Sequence, residues 1–116
     1  MRTISPLRGQ IWWADLDPAV GHEQGGGRWP VLIFSNDRFL QAHYELVTIV
    51  PVTTVERDFP TRVRIEPPEA NLRRVSFVVG EQVRTVSHQR LFRAIGSVEP
   101  ATLLLVEHVV RRLLDL

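Results

Sequence analysis

The chain has 116 residues, of which 44% are hydrophobic, 14 are basic, 13 are acidic and none is cysteine. This length and apolar content predict a single globular domain over residues 1–116. Without cysteine there are no disulfides, thiolate zinc sites or cysteine nucleophiles, and the chain suits a reducing cytoplasm. The net charge of +1 gives no bulk electrostatic reason to expect nucleic-acid binding.

Two further features of composition bear on location and partners. The first residues lack the apolar core of a signal peptide, and the run Leu103–Val106 is too short to cross a bilayer, so we expect a cytoplasmic protein. All 14 basic residues are arginine, which forms planar, bidentate contacts with phosphate. Codon bias in a GC-rich genome would produce the same excess, so composition is neutral on RNA.

The first half of the chain predicts three strands. Residues 9–16 form an aromatic and β-branched strand that ends at a turn signal, Asp17-Pro18. A glycine-rich loop follows, and the apolar run 30–35 predicts a buried strand. Asn36-Asp37 is expected to cap a short helical turn that ends at Gln41. Residues 46–53 predict a third strand, in which Pro51 indicates a sheet edge or a bulge.

The second half predicts four short strands and one helix. The strands are expected at 61–65, 75–79, 82–86 and 92–98, with breaks at Pro67-Pro68 and around Gly80. Pro100 fits the first position of a helix that ends at Leu114 and has one wide apolar face. The pattern predicts a mainly β fold, a small curled sheet or barrel of antiparallel strands with a C-terminal helix packed on it.

The loop from Gly21 to Pro30 is the segment richest in features that suit ligand binding. Its glycines permit close backbone approach to a ligand and an anion-binding nest of amides, although it contains neither a phosphate-loop nor a dinucleotide fingerprint. Arg28 adds a cation at the entrance to the second strand. Trp29 offers a surface on which a base could stack, and a core or interface role is an equal alternative.

Three further segments contain candidate residues. Thr53 and Thr54 end the third strand, where a hydroxyl usually forms a structural bond with the backbone. Strict alternation would place Glu81 on the apolar face of Val79 and Val83. Either Gly80 makes a bulge that resets the register, or Glu81 is a paired carboxylate near the core. The four histidines show no metal-ligand spacing, so we expect neither metal nor cofactor.

Four blocks of this sequence, in this order, resemble the MazF/PemK family of bacterial toxins. They are RGQIWWADLDP (Arg8–Pro18), GHEQGGGRWPVLIFSND (Gly21–Asp37), VPVTT (Val50–Thr54) and SFVVGEQVRTVSHQRL (Ser76–Leu91). The resemblance implies an SH3-like barrel with a C-terminal helix, acting as a homodimer. It also implies an endoribonuclease that cleaves single-stranded RNA at short sequences without metal, leaving 2′,3′-cyclic phosphate and 5′-hydroxyl ends. A cognate MazE-like antitoxin, whose disordered tail covers the RNA groove, is the implied partner.

The resemblance also assigns roles to individual residues. The family's active arginine corresponds to Arg28 and its active threonine to Thr53, although Trp29 stands here between the arginine and the proline that normally follows it. We interpret the two as stabilising the charge of the phosphorane, since neither is a good base. Proton transfer would then fall to solvent, His22 or Glu23. The candidate RNA contacts are Glu23, Gln24, Trp29, Thr54, Glu81, Gln82 and Arg84.

Two other functions are compatible with such a fold. A CcdB-like toxin shares the barrel but poisons DNA gyrase, and depends on a C-terminal Trp-Gly-Ile ending where this chain has Leu114-Asp115-Leu116. A non-catalytic SH3-like binding module would present an aromatic groove for polyproline peptides, for which Tyr44 alone is thin support.

Overall fold

The computed structural model describes residues 5–16, 27–42 and 44–116. Within these ranges the chain forms seven strands, two α-helices and three short 3₁₀ turns. The strands are β1 (Gln10–Asp15), β2 (Arg28–Ile33), β3 (Leu46–Thr53), β4 (Arg62–Ile65), β5 (Ser76–Val79), β6 (Arg84–Ser87) and β7 (Leu91–Ser97). The helices are α1 (Asp37–Gln41) and α2 (Pro100–Leu114). The fold class predicted from the sequence is confirmed.

The strands pair in an antiparallel sheet that curls into a small barrel. Hydrogen bonding joins them in the order β6-β3-β2-β1-β7, and β5 and β4 extend the sheet from the far end of β3. The outer strands of that order, β6 and β7, are consecutive in the chain and are joined by the 3₁₀ turn His88–Arg90. This short connection limits the distance between β6 and β7, so the five strands form a strongly curled sheet.

The central strands bury both faces, which explains their continuous apolar sequences. In β2, Leu32 points to one face, while Val31 and Ile33 point to the other. The first core lies on the face of Leu32 and includes Ile11, Val50, Val52, Val78, Val106 and Val110. The second core lies inside the barrel and comprises Ala14, Leu16, Val31, Ile33, Val47, Ile49, Val86 and Leu91.

Helix α2 covers one end of the first core. Pro100 occupies its first turn, as predicted, and Val106 and Val110 are the buried positions through which it packs. The side chain of Arg8 donates hydrogen bonds to the Phe34 carbonyl and to Glu107, so it ties the N-terminal segment to this helix.

The prediction that Pro51 marks a sheet edge or a bulge is wrong. Strand β3 is the most highly paired strand, because it contacts β2 along one side and both β6 and β5 along the other. On that second side, β6 pairs with residues up to Ile49 and β5 begins at Val52. Pro51 lies in the gap where the partner changes, a position at which a residue without an amide hydrogen interrupts neither ladder.

The helical turn predicted after the second strand is confirmed as α1. The Asn36 side chain caps it by accepting a hydrogen bond from the Phe39 amide at 2.7 Å. The glycine-rich loop up to residue 26 lies outside the described residues. None of the helices in the described ranges is long and apolar enough to span a membrane.

Candidate functional site

A cavity of about 230 Å³ lies where β2 begins and β3 ends, and we call it the small cavity. Strands β2 and β3 are antiparallel with Val31 opposite Pro51, so the first residue of one lies beside the last residue of the other. Arg28 and Thr53, far apart in sequence, therefore line one space. The rest of the lining is formed by Trp13, Trp29, Pro30, Val52, Thr54 and Ser76.

An aromatic ring holds the side chain of Arg28. Arg28 is exposed, and its guanidinium carbon lies 4.9 Å from the centroid of the Phe92 ring. Such a contact favours one orientation of the guanidinium without consuming its hydrogen-bond donors. Among the described residues no carboxylate forms an ion pair with Arg28. Its positive charge is therefore available to an anion in the small cavity.

Thr53 is fixed by the backbone that follows it. The residue is only 5% exposed, and its Oγ1 accepts a hydrogen bond from the Val55 amide at 3.1 Å. This is the structural bond expected of a threonine at a strand end. The bond uses the oxygen as an acceptor, so the hydroxyl hydrogen is left to donate to a group in the cavity.

The other two predicted contacts near this site differ in their surroundings. Trp29 packs against the second core, which favours the core interpretation of this residue, although it also borders the small cavity. Thr54 is exposed at the rim.

Glu81 lies elsewhere, in a network with the start of β4. It belongs to the 3₁₀ turn Gly80–Gln82, and it accepts hydrogen bonds from Thr61 Oγ1 at 2.7 Å and from Arg62 Nη2 at 2.8 Å. Of the two alternatives raised by the sequence, Glu81 is the paired carboxylate. Burial by itself would raise the pKa of Glu81, but the hydrogen bonds from Arg62 and Thr61 outweigh it and lower this pKa below its ordinary value of 4.5.

The remaining predicted RNA contacts are not brought to the small cavity by the described structure. Gln82 and Arg84 are half-buried beside Glu81, each engaged in interactions of its own, and none of the three lines the small cavity. Glu23 and Gln24, with His22, fall outside the described residues. Among the residues that are described, no group of three histidines or acidic residues could hold a metal ion.

Trp13 and Ser76 line the small cavity but were not among the predicted site residues. For Trp13 the sequence carried a usable signal. Adjacent strand residues point to opposite faces, and Trp12 packs on the second core, so Trp13 must point to the other face. For Ser76 no such signal existed, because its place follows from the pairing of β5 with the end of β3.

Comparison with known proteins places this chain in a family. Residues 7–114 match the family model described as a PemK-like, MazF-like toxin of type II toxin–antitoxin systems. The chain belongs to this family. Endoribonuclease MazF9 of Mycobacterium tuberculosis is 35% identical over 114 residues, which cover 94% of this chain and 96% of that protein. Endoribonuclease EndoA of Bacillus subtilis is 39% identical over 87 residues, which cover 72% of each.

Solved structures of family members show the same fold. MazF from Deinococcus radiodurans superposes with a TM-score of 0.85 at 25% identity, covering 98% of this chain and 100% of that one. A mycobacterial endoribonuclease in complex with its cognate antitoxin superposes with a TM-score of 0.79 at 31% identity, covering 96% of each chain. The chain is thus a toxin of the MazF-like endoribonuclease type, which favours that interpretation over the CcdB-like and binding-module alternatives.

Proposed function

We propose that the chain is a sequence-specific endoribonuclease that cleaves single-stranded RNA without a metal ion. The observation that carries the proposal is the meeting of Arg28 and Thr53 in the small cavity. One supplies a permanent positive charge and the other a hydroxyl donor, which are the groups needed to stabilise charge on a phosphate. The products are a 2′,3′-cyclic phosphate and a 5′-hydroxyl.

The reaction is an internal transesterification of the RNA backbone. The ribose 2′-oxygen forms a bond to phosphorus while the bond from phosphorus to the 5′-oxygen breaks. The 2′-hydroxyl loses a proton, and the departing 5′-oxygen gains one, so no oxidant, reductant or cofactor is needed. The difficult step is the accumulation of negative charge on the non-bridging oxygens in the phosphorane.

Arg28 acts on that charge. The pKa of an arginine is above about 12, so its guanidinium stays protonated and can donate two parallel hydrogen bonds to phosphate oxygens. The contact with the Phe92 ring already restricts the conformations of the Arg28 side chain, so less conformational entropy is lost when Arg28 binds phosphate. Arg28 is therefore a charge-stabilising group and not the base that removes the 2′-proton.

Thr53 supplies the second donor. Its oxygen already accepts the Val55 amide, so the hydroxyl can donate to phosphate without first breaking a bond. Proton transfer then falls to solvent, His22 or Glu23. A pH–rate profile that flattens in a His22→Ala variant would assign that role to the histidine.

The other proposed contacts with RNA are Glu23, Gln24, Trp29, Thr54, Gln82 and Arg84. Glu81 differs from them because its carboxylate is occupied by Arg62 and Thr61. We therefore assign Glu81 a positioning role, in which it fixes the chain at the start of β4.

The proposal extends to partners. A cognate MazE-like antitoxin, with a disordered tail that covers the RNA groove, would block the small cavity, and a relative of known structure is indeed bound to its cognate antitoxin. By family resemblance we propose a homodimer that acts in the cytoplasm. Light scattering on the purified protein tests the dimer directly.

One experiment tests the activity. Purified protein is incubated with single-stranded RNA, with and without EDTA, and the ends of the fragments are analysed. We expect cleavage at defined short sequences, unaffected by EDTA, with cyclic-phosphate and 5′-hydroxyl ends. Loss of cleavage in EDTA would refute the metal-independent reaction. Intact RNA with inhibited DNA gyrase would instead support a CcdB-like activity.

A further inference from the structure

A second, larger cavity adjoins the small one. It measures about 520 Å³ and shares Trp13, Pro30, Thr54 and Ser76 with the small cavity. Trp13 lies directly between its strand neighbours Pro30 and Arg93, so these three side chains form one row across β2, β1 and β7. The two cavities are therefore neighbouring parts of a single groove, and a chain bound in one continues naturally into the other.

Three arginines border the larger cavity, and we call them the arginine cluster. They are Arg73, Arg74 and Arg93, all exposed. None of them forms a salt bridge with a described residue, whereas Arg8, Arg62 and Arg64 each pair with a glutamate. In a chain with a net charge of only +1, this concentration of unneutralised cations creates a local positive potential that the whole molecule lacks.

The segment that leads to Arg73 and Arg74 is held rigidly against β7. Ala70 and Asn71 both adopt left-handed backbone conformations, with φ of 57° and 58°. The Asn71 side chain donates a hydrogen bond to the Ile95 carbonyl at 2.9 Å. This conformation is costly for alanine and less so for asparagine, and strained conformations cluster at sites that need a fixed geometry.

A glycine makes this close approach possible. A Cβ atom on Gly96 would lie 2.5 Å from the Ala70 carbonyl oxygen, so only glycine fits at this position of β7. Glu69 adds a further tie, because its carboxylate accepts a hydrogen bond from the Glu99 amide at 2.9 Å. The turn Glu69–Asn71 is thus fixed against β7, and β7 carries Arg93, the third arginine of the cluster.

We propose that the larger cavity is a second RNA subsite, in which the arginine cluster binds backbone phosphates beyond the scissile one. The proposal rests on the proposed ribonuclease function and deepens it, because it assigns part of the binding energy to a place separate from the reacting phosphate. Arginine side chains that pair with no described carboxylate suit phosphates, and Trp13 offers a partly exposed aromatic ring beside them.

Salt dependence of binding measures such contacts directly. For single-stranded nucleic acid, the slope of log K against log salt concentration is about −0.7 for each phosphate neutralised. The probe is a short single-stranded RNA of mixed sequence, labelled with a fluorophore and carrying 2′-deoxyribose throughout its cleavable positions. Binding is followed by fluorescence anisotropy over a series of salt concentrations.

We expect each of the variants Arg73→Gln, Arg74→Gln and Arg93→Gln to bind more weakly and to reduce the slope by about 0.7, and the triple variant by about 2. Arg93→Lys should keep the slope of the unsubstituted protein, since counterion release depends on charge. Arg38→Gln, which removes an exposed charge on α1, is the matched control and should leave the slope unchanged.

The outcomes separate this inference from the proposed function. If the unsubstituted protein cleaves no RNA, the proposed function fails, while the slopes for the uncleavable probe still decide the subsite. If the triple variant has the same salt-dependence slope as Arg38→Gln, the proposed subsite is refuted, even if the unsubstituted protein cleaves RNA. An unchanged slope for RNA, together with weakened binding of polyglutamate, would assign the cluster to an acidic protein segment and would likewise overturn it.

Discussion

At the scale of single residues, Arg28 and Thr53 are held in different ways beside the small cavity. Arg28 is exposed and depends on the Phe92 ring for its orientation, whereas Thr53 is buried and depends on the Val55 amide. A ring contact at an exposed site contributes about 0.5–1 kcal/mol. The arginine is therefore the less firmly held of the two, and its position is the more sensitive to binding of RNA.

Replacing Arg28 should remove most of the activity without unfolding the protein. Because loss of one donor to a developing oxyanion costs about 10²–10³ in rate, Arg28→Ala should lower kcat by that factor. Arg28→Lys should recover only part of it, since a single ammonium cannot form parallel bonds. Cleavage of one defined RNA under single-turnover conditions measures both. Near-full activity in Arg28→Ala would refute the charge-stabilising role.

Thr53 offers a sharper pair of variants. Thr53→Ser keeps the hydroxyl and should retain most of the activity, whereas Thr53→Val keeps the shape and should lose about as much as Arg28→Ala. Thermal unfolding of both variants separates a catalytic loss from a folding defect, because Thr53→Val also removes the acceptor for the Val55 amide. Equal activity of the two variants would exclude the hydroxyl as a donor.

The network around Glu81 should make stability depend on pH. The pKa of Glu81 is lower in the folded protein than its ordinary value of 4.5, so folding favours the charged carboxylate. The contribution of Glu81 to the free energy of unfolding is therefore complete at pH values above 4.5. That contribution is lost as the pH falls through the lowered pKa of the folded state. Glu81→Gln should therefore cost about 1 kcal/mol of unfolding free energy near neutral pH, and the difference should shrink below pH 4.5.

A matched control exists in the same sheet. Glu66 pairs with Arg64 at 2.9 Å, but the side chains are 67% and 51% exposed, against 22% and 9% for Glu81 and Arg62. Glu66→Gln should have little effect at any pH, since exposed pairs contribute little. Urea unfolding of the three proteins over the pH range tests this. A difference for Glu81→Gln that grows in acid would contradict the assignment.

At the scale of elements, the contact between β7 and the turn at Ala70 is the least tolerant of change. In Gly96→Ala the added Cβ would lie 2.5 Å from a backbone carbonyl oxygen, so either the strand or the turn has to move. Overpacking of this kind typically costs about 1–3 kcal/mol. We expect a loss of that size in chemical unfolding, together with weaker RNA binding because the turn leading to Arg73 and Arg74 shifts.

Ser97→Ala is the control for that substitution. Ser97 is the exposed residue next to Gly96 in the same strand, and its replacement should change stability by less than about 0.5 kcal/mol. The turn is not displaced if Gly96→Ala binds RNA as tightly as the unsubstituted protein does at a low temperature, where the variant stays folded. Unchanged stability of Gly96→Ala would mean that the two elements are packed less tightly than the structure shows.

The sequence predicts the elements well because their signals are local. Alternation, apolar runs and the proline at position 100 place the strands and α2 within a few residues. The prediction for Pro51 is wrong because the role of this proline depends on which strands lie on either side of β3. The left-handed conformation of Ala70 left no signal in the sequence, since alanine does not favour it, whereas asparagine tolerates it and Asn71 was a weak signal at most.

For the site, family resemblance singled out Arg28 and Thr53, and the pairing of β2 with β3 explains why they share a cavity. The arginine cluster could not be found in this way. Arg73 and Arg74 follow a turn, Arg93 lies on β7, and only the packing of that turn against β7 brings them to one cavity. Glu81 illustrates the converse case, since alternation left open a bulge at Gly80 or a paired carboxylate and could not name Arg62 as its partner.

At the scale of the whole molecule, two cores share the same strands. Leu32 belongs to the first core and its neighbour Ile33 to the second, and both are fully buried. Loss of either core would leave β2 with one unsupported face. The barrel, α2 and the groove should therefore unfold together, and the reaction site should be lost in the same transition as the fold.

Leu32→Ala and Ile33→Ala test this coupling. Each removes a fully buried side chain and should cost about 2–5 kcal/mol, in one transition that has the same midpoint by far-UV circular dichroism and tryptophan fluorescence. Leu116→Ala, at a side chain that is 83% exposed, should unfold like the unsubstituted protein. Because the proposed homodimer links folding to association, all midpoints should rise with protein concentration. Two separated transitions in either core variant would show that the cores are independent, and a midpoint independent of concentration would argue against the dimer.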